Sequence, residues 1–236
     1  MPAPLPALAG PVAWSAIDCV LLDMDGTLLD RHFDDHFFLD TTPRQYAKQN
    51  GLDFETAKAE VLAIYEEVAG SLLWYDLDHW SKRLQMDIPL LKLEIAHLIQ
   101  TRPYVMPFLQ CLKERGLPTH LVTNAHAHSL NLKLARTPIG QFMDSVHSSH
   151  DYGLAKEQPA FWTQLRGRID FNPQTTLLIE DSEPVLRSAE AFGIGHLLHI
   201  AQPNLQWEPQ YSQRFPSVQG FEQLLQPASP PPSEAA

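Results

Sequence analysis

Short runs of apolar residues alternate with longer stretches in which apolar positions recur every three or four residues through most of this chain. Five runs read as strands, at 17–22, 119–123, 143–147, 176–180 and 196–200. The intervening periodicity predicts helices at 107–115, 129–136, 159–166 and 183–192, two of them followed by Gly116 and Gly193. Strands that are apolar on both faces and separated by helices belong in a parallel sheet covered on both sides. The fold class expected is therefore α/β, a Rossmann-like doubly wound parallel sheet.

Residues 33 to about 100 break this alternation, because no convincing strand occurs there. Thr42-Pro43-Arg44-Gln45 reads as a helix start with Thr42 as cap, and that helix should stop near Gly51. A second helix is expected after Asp53, where Phe54, Ala57, Val61, Ile64, Tyr65 and Val68 keep the helical period. Two more are expected at 76–84 and 89–100. The sheet is thus interrupted directly after its first strand by an all-helical insertion. The division expected is a Rossmann-like core of 14–32 and 103–226, a helical cap of 33–102, and flexible tails at 1–13 and 227–236, whose Pro and Ala content gives them little to pack.

Composition narrows the function classes. The 236 residues carry 44% hydrophobic and 19% charged residues, enough apolar content for a packed core. Lys+Arg 17 against Asp+Glu 28 gives a formal net charge of -11. Such a chain repels polyanions at long range, so neither nucleic acid nor an anionic membrane is an expected partner. Cys19 and Cys111 sit in apolar or helical stretches and read as buried small hydrophobes. Without a disulfide framework, signal-peptide pattern or long apolar span, a cytoplasmic protein is expected.

The chemistry concentrates at strand ends. In LLDMDGTLLD (21–30) an apolar strand delivers Asp23 and, two residues on, Asp25 to one side, with Gly26 allowing a tight departure. The alternative for such a triplet is a simple turn. A second strand ends in Thr123-Asn124, where a hydroxyl and free amides entering a helix can hold phosphate oxygens or merely cap the helix. Lys156 precedes a helix and offers a cation. LLIEDSEP (177–184) brings Glu180 and Asp181 to the end of a further strand. In a doubly wound sheet all these positions fall at the carboxyl ends of the strands, where ligands bind. Several carboxylates around one lysine require a counter-ion, and Mg2+ with its hard oxygen ligands supplies it.

This order of motifs resembles the haloacid dehalogenase-like hydrolase superfamily over residues 17–200. The resemblance implies a phosphoric monoester hydrolase with a type 1 helical cap, working through an aspartyl-phosphate intermediate. It makes Asp23 the nucleophile and Asp25 the acid that protonates the leaving oxygen and later activates water. Thr123, Asn124 and Lys156 would hold the phosphoryl group. Asp23, the carbonyl of Asp25 and Asp181 would ligate magnesium, with Glu180 direct or in support. Two departures from the family pattern occur: Glu157 stands where Pro often follows the lysine, and the terminal pair is Glu-Asp. The strings SLLWYDLDHWS, LVTNAHAHSLNLKL and IEDSE further resemble 5′-nucleotidases of that superfamily that act on GMP and IMP, which implies a purine nucleoside monophosphate as the small-molecule partner. A sugar-phosphate phosphatase or phosphomutase of the same superfamily is the alternative. A dehalogenase is argued against by Asp25, a receiver domain by the position of D-x-D after the first strand, and a non-catalytic binding protein by the full set of reactive groups.

Trp74, Tyr75 and Trp80 can stack on a base or pack between the cap helices and the main domain, and Asp76 and Asp78 can accept hydrogen bonds or start a helix. His126-x-His128 alone does not define a zinc site, and the pair is expected at a helix N-terminus or in solvent.

Overall fold

The computed structural model describes residues 7–226. The strands are β1 (Ala7–Leu8), β2 (Cys19–Leu22), β3 (Thr119–Thr123), β4 (Ser145–Ser148), β5 (Thr176–Glu180), β6 (His196–Ile200), β7 (Ser217–Val218) and β8 (Leu225–Gln226). Six of them form one parallel sheet in the order β4-β3-β2-β5-β6-β7. After β2 the chain builds outward through β3 and β4, then returns to the other side of β2 for β5. The strand order therefore reverses at β2, and the crevice at such a reversal is where open α/β sheets bind ligands.

Alternation along the central strands explains why they read as continuous apolar runs. Val20, Leu22, Leu121, Leu177 and Ile179 enter one core cluster, while Cys19, Leu21, Val122 and Leu178 enter the cluster on the opposite face. Each face needs its own helical cover. Full burial of such side chains stabilises the fold by about 1.5–3 kcal/mol apiece.

The helices are α1 (His32–His36), α2 (Thr42–Asn50), α3 (Phe54–Glu66), α4 (Leu77–Leu84), α5 (Ile88–Glu94), α6 (Val105–Glu114), α7 (Ala127–Arg136), α8 (Pro159–Arg166) and α9 (Glu183–Phe192). The first five form the cap. It has its own apolar centre, including Phe37, Val61, Tyr65, Leu77, Trp80 and Leu84. Asp53 caps α3 through the N–H of Thr56, and Asp76 caps α4 through the N–H groups of Asp78 and His79. The two chain crossings between cap and core lie side by side. Leu29 bridges Thr101, the Asp30 N–H donates to the Gln100 carbonyl, and the Arg102 N–H donates to that of Leu28.

Several expectations are corrected. The helix expected to start at Thr42 begins at His32 and passes through one π turn (Phe37–Thr41) into α2. Thr42 is helical, with φ -64° and ψ -47°, and makes no cap bond. The wide turn accommodates Pro43, whose ring would crowd the carbonyl four residues back in a regular helix. The expected helix 89–100 ends at Glu94, and a 3-10 turn (Ala96–Leu98) follows. The tail expected at 1–13 is structured where it is described: β1 pairs antiparallel with β8, Leu8 is buried and the Trp14 ring N–H donates to the Ala9 carbonyl. Residues 227–236, also expected to be a tail, lie outside the described residues. Cys19 and Cys111 are buried and form no disulfide. Among the described residues no helix is long and apolar enough to cross a membrane.

Candidate active site

A cleft of about 340 Å³ lies between the carboxyl edge of the sheet and the cap. Asp23 stands at its floor, directly after β2, where its N–H donates to the Ile179 carbonyl at 3.1 Å. The chain then turns sharply: the Leu28 and Leu29 N–H groups both donate to the Met24 carbonyl. Gly26 makes this turn at φ +89°, and a Cβ there would run into the Asp181 carboxylate and Pro203. Only glycine lets the β2 loop and the β5 loop approach so closely.

Lys156 reaches up from the loop before α8. Its Nζ donates to Asp23 Oδ1 at 2.6 Å, Glu180 Oε2 at 2.7 Å and the Val122 carbonyl at 3.0 Å, with 2% of the side chain exposed. Burial pushes the Asp23 and Glu180 carboxyls up, and Lys156 opposes this in both. The ammonium, despite burial, is held charged by these two acids. Thr123 is buried at the end of β3, and its hydroxyl accepts from the Ala125 N–H at 3.0 Å. Asn124 positions the lysine loop: its Oδ1 accepts the Lys156 N–H and its Nδ2 donates to Glu157. The Tyr75 hydroxyl, from the cap, donates to the other oxygen of Glu157 at 2.8 Å. The residue standing in place of proline thus joins cap to core.

The remaining oxygens matter for a cation. Asp23 Oδ2 is buried and has no hydrogen-bond partner. Glu180 Oε1 accepts from the Asp181 and Ser182 N–H groups, so both Glu180 oxygens are engaged. Asp181 has one oxygen on Arg31 at 2.8 Å, and among the described residues no hydrogen bond engages the other. Ligand oxygens of Asp23, Glu180 and Asp181 all lie within 4.8 Å of one another. Six carboxylates and four cationic side chains line the cleft, so the acids outnumber the cations there.

Five charged residues of this cleft were not singled out from the sequence: Arg31, Asp34, Asp35, Lys92 and Lys133. Lys133 of α7 donates to Asp25 Oδ1 and Asp34 Oδ2, both at 2.6 Å, and Lys92 of α5 reaches Asp34 Oδ1 at 2.7 Å. Burial raises Asp25 to about 7, against the pull of Lys133. Asp34 is half-buried, and against the cost of desolvation Lys133 and Lys92 hold it below the usual carboxylate range. Arg31 spans Asp181 and Asp35. A signal for Lys133 exists: Ser129, Leu130 and Lys133 share the buried stripe of α7, so the lysine occupies a core position. Lys92 follows Ile88 by four residues on the buried side of α5 in the same way. Of the three aromatics, Trp80 is buried in the cap, whereas Trp74 and Tyr75 face the cleft. Asp76 serves as the α4 cap.

A parallel sheet reversing at β2, a helical cap, and clustered acids around a buried lysine define the class, and the chain belongs to the haloacid dehalogenase-like hydrolases, which it matches over residues 17–193. It is a phosphatase. It is 36% identical to the GMP/IMP nucleotidase YrfG of Escherichia coli (strain K12), over 91% of this chain and 96% of that one, and equally to the protein of that name from Shigella flexneri. Its fold is shared with a HAD phosphatase from Thermococcus onnurineus, with a TM-score of 0.74 and 22% identity over 88% of this chain and 96% of the other.

Proposed function

We propose that this protein is a magnesium-dependent 5′-nucleotidase that hydrolyses purine nucleoside monophosphates such as GMP and IMP through an aspartyl-phosphate on Asp23. The observation that carries the mechanism is the state of Asp23: one oxygen fixed by Lys156, the other buried with no protein partner. A buried carboxylate oxygen left bare is costly unless something else bonds to it. A phosphorus atom or a metal ion supplies that bond.

Asp23 attacks phosphorus while Asp25, protonated in part because burial lifts it to about 7, gives its proton to the departing ester oxygen. Ionised Asp25 then takes a proton from water, which attacks the phosphorus of the aspartyl-phosphate and frees inorganic phosphate and Asp23. Thr123 and Lys156 hold the phosphoryl oxygens. Asp23, the Asp25 carbonyl and Asp181 would hold magnesium, with Glu180 in support because both its oxygens are already used. Bound there, the ion neutralises phosphoryl charge and favours displacement.

The purine assignment rests on the GMP/IMP nucleotidase relative and on the apolar wall that Phe38, Trp74, Tyr75 and Leu77 give the cleft. Phe38 and Trp74 are stacked at 5.5 Å, which presents a rigid aromatic surface. We assign 14–32 and 103–226 to the catalytic core and 33–102 to the cap. Phosphate release from a panel of nucleoside monophosphates and sugar phosphates, with and without magnesium, tests this reading. Selective release from GMP and IMP is expected. A preference for sugar phosphates would discard the purine assignment, and magnesium-independent release would discard the metal.

A further inference from the structure

The rim of the cleft carries side chains that phosphoryl transfer does not use. His126 and His128 stand at the start of α7 on the core, and Asp78 lies in the first turn of α4 on the cap. His126 Nε2 is 3.9 Å from Asp78 Oδ2, and His128 Nε2 is 3.9 Å from Asp78 Oδ1. Ligand atoms of the three all fall within 4.8 Å of one another. The sequence could not pair Asp78 with the histidines, because some fifty residues separate them; the closed cap does.

These separations are too long for hydrogen bonds. They are close to those of ligands sharing one ion: bonds of about 2.0–2.2 Å at tetrahedral angles put ligand atoms roughly 3.3–3.6 Å apart. Movement of about half an ångström closes each of the two 3.9 Å gaps to Asp78 to the spacing of ligands on one ion. Among the described residues no hydrogen bond engages these two rings or the Asp78 carboxylate, so nothing must be broken first. Asp76 lies 3.9 Å from His126, but its facing oxygen already accepts the two α4 N–H groups. His126 has Nδ1 buried, which leaves Nε2 to meet the cap.

We infer that His126, His128 and Asp78 form a second metal site, one that takes a divalent transition ion such as zinc across the seam between cap and core. Two imidazoles and one carboxylate are a zinc-type donor set, unlike the all-oxygen cluster at Asp23. The Tyr75 to Glu157 hydrogen bond already closes the same seam, so the ion reinforces an existing contact. Its effect is to hold the cap down. Product leaves only when the cap opens, and the bound ion therefore slows turnover without displacing magnesium. The site does not depend on which phosphate ester is the substrate.

The test is calorimetric titration of zinc into the full chain in saturating magnesium, with the histidine ring nitrogens followed by NMR. One equivalent of zinc is expected, with both His126 and His128 rings perturbed. Affinity should fall at least about tenfold in Asp78→Asn and in His128→Ala, both of which keep zinc-free turnover. Zinc should lower kcat of the unaltered protein and leave Asp78→Asn unaffected. Absent uptake, uptake equal in all three proteins, or uptake lost in His128→Ala and intact in Asp78→Asn would overturn the clasp. Failure of the phosphatase reading would be distinguishable, as missing turnover before any zinc is added.

Discussion

Replacing Lys156 by Met removes one ammonium while keeping the reach of the side chain. The nitrogen lies 2.6 Å from Asp23 and 2.7 Å from Glu180, and both carboxylates are buried with it. Taking one partner from a buried ion pair costs about 3–5 kcal/mol, because the charge left behind is stranded. Here two carboxylates are stranded, which puts the expected loss at the upper end of that range. A typical domain has only about 5–15 kcal/mol to lose. The pH dependence follows from the direction of the shifts. Burial raises both acids in the folded protein, and without Lys156 they rise further. A group with a raised folded pKa contributes its stability below the unfolded value, about 4 for these side chains, and loses it as pH rises through the folded value. The deficit of Lys156→Met relative to the unaltered protein should therefore be smallest near pH 4–5 and grow toward pH 8. Magnesium should restore part of it, since a bound cation takes over from the missing ammonium. Urea unfolding followed by tryptophan fluorescence, at both pH extremes and with either chelator or magnesium, measures all three effects. A deficit under about 1 kcal/mol, or one of equal size at both pH values, would refute this electrostatic account of the site.

Gly26→Ala should lose about 1–2 kcal/mol from its left-handed backbone alone, and displacement of Asp181 should weaken magnesium binding at least about tenfold; an unchanged magnesium titration would contradict the packing described. Lys133→Met removes the charge that opposes protonation of Asp25. The alkaline fall of kcat/KM, where the acid form is lost, should move to higher pH; a fixed or lowered limb would take Asp25 out of the acid role. Trp74→Ala should raise KM for GMP by the worth of one base stack, about 1–3 kcal/mol, and leave KM for a phosphate ester lacking a base unchanged. Equal changes for both substrates would assign Trp74 to packing.

The parts of the fold that were legible in the sequence are those governed by local pattern. β3, β5 and β6 have the bounds their apolar runs imply, and so do α8 and α9. The helix from His32 into α2 was not legible at its start, because Thr42-Pro43 imitates a cap and here a π turn lets the proline sit inside the helix. β7 has two residues, too few to show a period, and β1 is anchored by the single buried Leu8. In the cleft, residues at strand ends announced themselves through order and spacing. Lys133, Lys92 and Asp34 did not, because their meaning lies in mutual contacts across 58 and 99 residues of chain. The Asp78 and histidine group was hidden for the same reason.

The central claim is that Asp23 carries the phosphoryl group during turnover. Rapid acid quench of the magnesium-loaded protein with phosphate-labelled GMP, followed by mapping of the labelled peptide, tests it directly. The account predicts a burst of no more than one phosphoryl group per chain, attached to Asp23, labile to hydroxylamine and absent in Asp23→Asn. Steady hydrolysis with no labelled protein at any time, or label that persists in Asp23→Asn, would contradict it.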